Sequence, residues 1–201
     1  MKISYRLILV LLTILAGHGA WADIIGSAHD FSSKSWSGGQ VCMICHTPHN
    51  SQTAVVPLWN HGATSASFTL YSSPTFKASI SQPAGASRAC LSCHDGTVAL
   101  DTFGGKTGTT FLSGPTLLSN DLSNDHPISF TYNSALAASV PGLRDPSAAA
   151  SGLGGTIRND LLFNDRLECA SCHDVHNSHN QASLLVKNNA GSALCLTCHA
   201  K

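Results

Sequence analysis

The eight cysteines of the 201-residue chain fall into four C-x-x-C-H units with none left over. They are Cys42-Met43-Ile44-Cys45-His46, Cys90-Leu91-Ser92-Cys93-His94, Cys169-Ala170-Ser171-Cys172-His173 and Cys195-Leu196-Thr197-Cys198-His199. Two thiols at this spacing can form thioethers to the two vinyl groups of one haem, and the histidine that follows then lies under the ring as proximal iron ligand. Zinc also uses cysteine pairs at this spacing, but it does not require a histidine directly after each second cysteine. An exported chain with eight cysteines would otherwise suggest a disulfide framework, and a thioredoxin-like pair would call for a βαβ pattern that surrounds none of these motifs. The expectation is four covalently bound haem c groups, with His46, His94, His173 and His199 as proximal ligands.

Counting then restricts the sixth ligand. The methionines are Met1 and Met43, the first in the leader and the second inside an attachment motif. Histidine is plentiful: beyond the proximal four, the chain after its leader has His29, His49, His61, His126, His176 and His179. Bis-histidine iron is the reading. It fills both axial positions, leaves no open site for a substrate, and gives lower potentials than Met/His ligation.

An internal repeat ranks the candidates. Cys42 to Asn50 and Cys169 to Asn177 both read C-x-x-C-H-x-x-H-N. Continued without a gap, the alignment sets Ser51 on Ser178 and Pro57-Leu58-Trp59 on Leu184-Leu185-Val186. The second member of each half also agrees, CLSCH at Cys90 and CLTCH at Cys195. His49 then meets His176, whereas His179 meets Gln52. Positions i and i+3 of a helical turn share a face about 5–6 Å apart, so His49 cannot pass round the ring held by His46 and must serve a different iron. The same holds for His176 and His173, which requires haems close enough for fast electron exchange. The remaining distal ligands are expected to be His126, whose following Pro127 favours an extended approach, and His29. His61, in a loop after Trp59-Asn60, and His179 rank below them as alternatives.

Residues 1–22 read as a secretory signal peptide: Lys2 and Arg6, the apolar run Leu7 to Ala16, then the cleavage signature Ala20-Trp21-Ala22. The apolar run is too short for a bilayer span, which needs about 20 residues. The exported chain would start near Asp23 and be periplasmic, extracellular or at the cell surface, with no membrane span. Without Lys2 and Arg6 it carries nine basic and eleven acidic residues, a net charge of −2. There is no basic patch, so nucleic acid is not an expected partner.

Aromatic residues make up only 6% of the chain, and few windows carry an apolar period. Side chains alone do not promise an interior, and the haems are expected to be the core. The fold class is therefore mostly irregular coil with short α-helices around the attachment motifs. It is read as one haem-cored domain built from two tandem two-haem units, residues 23–120 and 121–201. Short helices are expected over Arg88–Leu100, Arg166–Val175 and Ser192–Ala200, and over Ser134–Val140, ended by Pro141-Gly142. The Gly-, Ser- and Thr-rich spacers Asn60–Ser87 and Thr102–Asp125 read as coil that wraps the haems. Ligation would then supply much of the folding energy.

Taken together, His29-Asp30-Phe31, CHTPHN, Pro57-Leu58-Trp59-Asn60, CLSCHDGT, Asp125-His126-Pro127-Ile128-Ser129-Phe130, CHDVHN and the final CLTCH resemble the paired-motif multihaem c-type cytochromes. In order and length they are most similar to the tetrahaem subunits of extracellular cytochrome filaments, or nanowires, of metal-reducing bacteria. The resemblance implies bis-histidine haems in a continuous chain, little regular secondary structure and head-to-tail self-association. It also implies an axial histidine donated by a neighbouring subunit, for which His29, near the expected mature N-terminus, is the expected donor. A heterologous contact that does not close gives an open filament. The expected function is electron transfer to other redox proteins or extracellular acceptors, not catalysis. The alternatives are a soluble periplasmic electron shuttle and a multihaem reductase with one open haem; no motif has the lysine proximal ligand that some reductases use.

Overall fold

The computed structural model describes residues 24–52, 56 and 58–200. The leader read over residues 1–22, with its cleavage signature and the expected start at Asp23, lies outside them. The chain is mostly coil. It contains helices α1 (Gly85–His94), α2 (Ser134–Ser139), α3 (Ile157–Leu161) and α4 (Cys195–Cys198) and the two-stranded antiparallel sheet β1 (Phe130–Thr131) and β2 (Arg166–Leu167). Single 3-10 turns lie at Ser35–Ser37, Cys169–Ser171, Ala182–Leu184 and Ala190–Ser192.

Capping residues explain the helix limits. Asn133 caps α2 by accepting from Leu136 N at 3.0 Å, and Thr156 caps α3 by accepting from Asn159 N. The expected stop before Pro141-Gly142 is met, since Val140 is already extended. Helix α1 begins three residues before the expected Arg88 and ends at His94, not Leu100. Gly96 closes it: at φ 76° its N–H reaches Cys93 O at 3.2 Å. A Cβ there would also lie 2.7 Å from Leu117 Cδ1, the end of an exposed side chain that can turn aside, so it is the positive φ that asks for glycine.

Three other expectations are corrected. The helix expected over Arg166–Val175 is strand β2 followed by a 3-10 turn over Cys169–Ser171. Pairing decides this: Ser129 N donates to Leu167 O at 2.7 Å and the Arg166 guanidinium donates to Ser129 O at 2.5 Å. The helix expected over Ser192–Ala200 shrinks to α4. The left-handed Gly191 and Ser192 break it on one side, and on the other His199 is drawn into a bridge with Leu143. The first attachment motif has no helix; Cys42 O closes turns with the N–H groups of Cys45 and His46.

Among the described residues the buried apolar side chains form three clusters. The largest buried cluster holds Phe130, Tyr132, Ile157, Leu161, Leu167 and Val186 around the small sheet. Two smaller ones centre on Trp59 with Ala89 and on Phe68 with Leu91 and Leu122. Isolated bridges join the spacers: His61 to Phe103, Thr69 to Asp121 and Ile80 to Phe130.

Candidate haem-binding site

The first and third attachment motifs are built as the same hairpin. Thr47 N donates to Leu58 O at 2.8 Å and Asn60 N to Cys45 O at 2.8 Å; in the later copy Asp174 N donates to Leu184 O at 2.6 Å and Val186 N to Cys172 O at 3.0 Å. His46 bridges Trp59, and His173 bridges Leu185. Left-handed residues recur at Asn50 (56°) and Asn177 (54°), then at Leu58 (60°) and Leu184 (55°). These pairings correct the ungapped alignment: Leu58 matches Leu184 and Trp59 matches Leu185, because the later loop is one residue shorter. A leucine at positive φ is strained by about 1–3 kcal/mol; the hairpin holds one in both copies.

The second and fourth motifs are helical, in α1 and α4. Each places a hydroxyl residue between its cysteines, and each hydroxyl bonds back one turn. Ser92 Oγ donates to Arg88 O at 2.7 Å, and Thr197 Oγ1 donates to Ala193 O at 3.0 Å. Both hydroxyls also accept, from Thr64 N at 3.0 Å and from Lys187 Nζ at 3.1 Å. Each motif helix is thereby fixed to a distant segment.

The histidines meet in pairs. His94 lies opposite His29 with ring centroids 6.0 Å apart, His46 opposite His176 at 6.1 Å, and His199 opposite His126 at 6.4 Å. Two imidazoles that share one metal at the usual metal–nitrogen length of 2.0–2.1 Å need centroids about 6.3 Å apart. Each pair joins a proximal histidine to a distal candidate from another segment, so the spacing fits a six-coordinate iron between them. The interplanar angles are 51°, 16° and 74° in the same order.

Hydrogen bonding fixes which ring nitrogen is available. The Nδ1 atoms of His94, His173 and His126 lie 2.8, 3.0 and 2.9 Å from the carbonyl oxygens of Thr116, Ser183 and Pro127. A carbonyl only accepts, so Nδ1 carries the proton and Nε2 keeps its lone pair for a metal. His61 is arranged differently. It is buried, with Nδ1 2.8 Å from Gly62 O and Nε2 3.0 Å from Ala99 O. A neutral imidazole donates to only one of these carbonyls; the ring packs beside the Cys93 sulfur at 3.7 Å, and among the described residues its ring contact is with Trp59.

His29 faces His94 of its own chain, where a role as donor to a neighbouring subunit was expected. Its pKa is lowered, first by burial and then by the charges of His94 and His173. Among the described residues, the histidine–histidine ring contacts do not include His49 or His173, both exposed. Thr47 Oγ1 donates to His49 O at 2.9 Å, and His179 is an exposed residue whose carbonyl accepts from Gln181.

The attachment cysteines adjoin one another from motif to motif. Burial pushes the Cys93 thiol up to about 12, with Cys45 of the first motif adding to the effect. Cys90 and Cys169 influence each other, which pushes the Cys90 thiol up and draws that of Cys169 down. Burial raises Cys172 and Cys198, the latter to about 11, and each is raised further by cysteines of the other's motif. Cysteines of motifs that are neighbours in sequence thus lie within electrostatic reach of one another. The sequence reading did not single out the residues that organise these contacts, Ser87, Glu168, Ser92 and Thr197. Only the shared hydroxyl in CLSCH and CLTCH offered a signal.

Residues 163–201 match a family model for the doubled CXXCH motif. The segment holds the third and fourth attachment motifs. The match indicates covalently bound haem c and points to multihaem c-type cytochromes, that is, to a haem-binding electron-transfer protein. The coil-rich architecture with a few short helices agrees with a small cytochrome. No curated protein matches the chain at a significant level.

Proposed function

We propose that the chain is an exported tetrahaem c-type cytochrome with bis-histidine irons, and that it carries electrons and does not catalyse a reaction. The observation that carries this reading is the set of three histidine pairs at 6.0–6.4 Å, each joining a motif histidine to a distant one. Haem, when bound, supplies reversible one-electron chemistry at iron. The residues do the rest. Eight cysteines would tether, Nδ1–H···O=C bonds orient the proximal rings of His94 and His173, and at three of the four motifs a second ring is in place to fill the other axial position and leave no room for a substrate. His176 crosses from the third motif to His46 of the first. By the reciprocity of the repeat, we assign His49 to the iron held by His173.

Cys45 packs with Trp59 against Ala89 of α1, Cys169 N donates to Ser87 Oγ of α1, and Cys172 and Cys198 pack on one apolar cluster; these neighbourhoods support a path that runs through the sites in sequence order. Assembly into an extracellular filament rests on the resemblance alone. Since the rings of His29 and His94 meet within one chain, a ligand passed between subunits would have to be another exposed histidine, and His179 is the one left unassigned. The soluble periplasmic shuttle is the second reading, and electron microscopy of the purified protein separates the two. The primary test is mass spectrometry of the exported polypeptide with a resting optical spectrum. Four added haem masses and an all-low-spin spectrum are expected; fewer haems, or a high-spin iron as purified, would overturn the proposal.

A further inference from the structure

Between the second and third attachment motifs lies a buried carboxylate that ligation does not use. Glu168 directly precedes Cys169 and is 3% exposed. Its Oε2 accepts from Ser87 Oγ and, at 2.7 Å, from Ser129 Oγ; its Oε1 accepts from Arg166 Nε at 2.9 Å. It also caps the 3-10 turn of the motif reciprocally with Ser171, whose Oγ accepts from Glu168 N at 2.9 Å. Ser87 belongs to α1, the helix of the second motif, and the same Ser87 Oγ accepts from Cys169 N at 3.0 Å. One carboxylate thus ties the second motif to the first residue of the third.

We infer that Glu168 is a positioning residue that fixes the junction between the second and third haem sites, and that with Arg166 it sets the potentials there. The inference rests on the reading that these motifs carry haem. A buried negative charge favours the more positive, ferric state of nearby iron and so lowers its potential. Arg166 opposes this, but its side chain is 31% exposed against 3% for Glu168. Solvent therefore screens the guanidinium more than the carboxylate, and the net field at the junction is negative.

The two charges predict opposite signs, which separates electrostatics from simple loosening. Potentiometric titration of the holoprotein, followed optically, compares wild type with Glu168→Gln, Glu168→Asp and Arg166→Gln. Mass spectrometry first establishes that each holds four haems. Glu168→Gln is expected to raise two of the four potentials, changing their ferrous-to-ferric ratio about tenfold at fixed potential, which is 59 mV for one electron. Glu168→Asp should restore most of the shift, and Arg166→Gln should lower the same two. Unmoved potentials in Glu168→Gln, or a shift of the same sign in both charge variants, would overturn the inference. If Glu168→Gln does not mature, Arg166→Gln alone decides: a lowered pair supports the inference, and an unchanged or raised pair refutes it. A wild-type protein without four haems would instead sink the underlying reading.

Discussion

Replacing His176 with alanine should open one iron out of four, and a particular one. The rings of His46 and His176 stand 6.1 Å apart, within a few tenths of an ångström of the roughly 6.3 Å that two imidazoles on one metal require. The pair is already set for ligation, so the substitution removes a whole ligand. Alanine ends at Cβ and does not reach the metal, and a weak-field water in its place leaves the iron high-spin. One quarter of the haem should change spin state, visible in the optical spectrum and by electron paramagnetic resonance. The geometry also says which low-spin signal disappears. At 16° the two planes are near-parallel, while the other pairs lie at 51° and 74°. Parallel imidazoles reinforce one another in splitting the iron d orbitals and give a rhombic spectrum; crossed rings cancel and give a strongly anisotropic one. His176→Ala should therefore remove the most rhombic component and leave the most anisotropic, from His126 and His199, intact. Four low-spin irons in the variant, or loss of the anisotropic signal in place of the rhombic one, would refute the pairing.

Other outcomes follow from single residues. His49→Ala should leave one different iron high-spin, and His61→Ala none, as read in the same spectra. Gly96→Ala should cost on the order of 1–3 kcal/mol in a thermal melt, because alanine is strained at positive φ and its Cβ meets Leu117. Asp145 has its pKa lowered by the Ser134 hydroxyl and then by the Ser147 amide. Its folded value lies below its unfolded one, so its contribution is present above the ordinary carboxylate value and is lost as pH falls through the lowered one. A carboxylate NMR titration should find it ionised below pH 3.8, and Ser134→Ala should move it back up.

How much was legible depended on how locally each feature is encoded. The attachment motifs are, because thioether spacing is a property of five consecutive residues. The C-x-x-C-H-x-x-H-N repeat also announced a shared local shape, and the two hairpins have it. The single-residue gap stayed hidden because Leu184-Leu185 offers an apolar residue in either register. Helix limits failed where a distant partner decided them. Arg166 carries no sign in its own neighbourhood that Ser129 will draw it into a strand. His61 read as a loop residue since its carbonyl partner Ala99 lies far along the chain. His29 was read from its position near the expected mature N-terminus, which gave no sign that its ring would lie 6.0 Å from that of His94.

The crossing of His176 to His46 has a bearing on biogenesis. On the proposed reading, the iron site of the first motif is completed by a residue that follows the third motif in the chain. Its second axial position would stay open until His176 had been added, so ligation there would be a late closing event of maturation. A chain interrupted before His176 would hold a first haem that lacks this ligand, an incentive for rapid disposal of incomplete products.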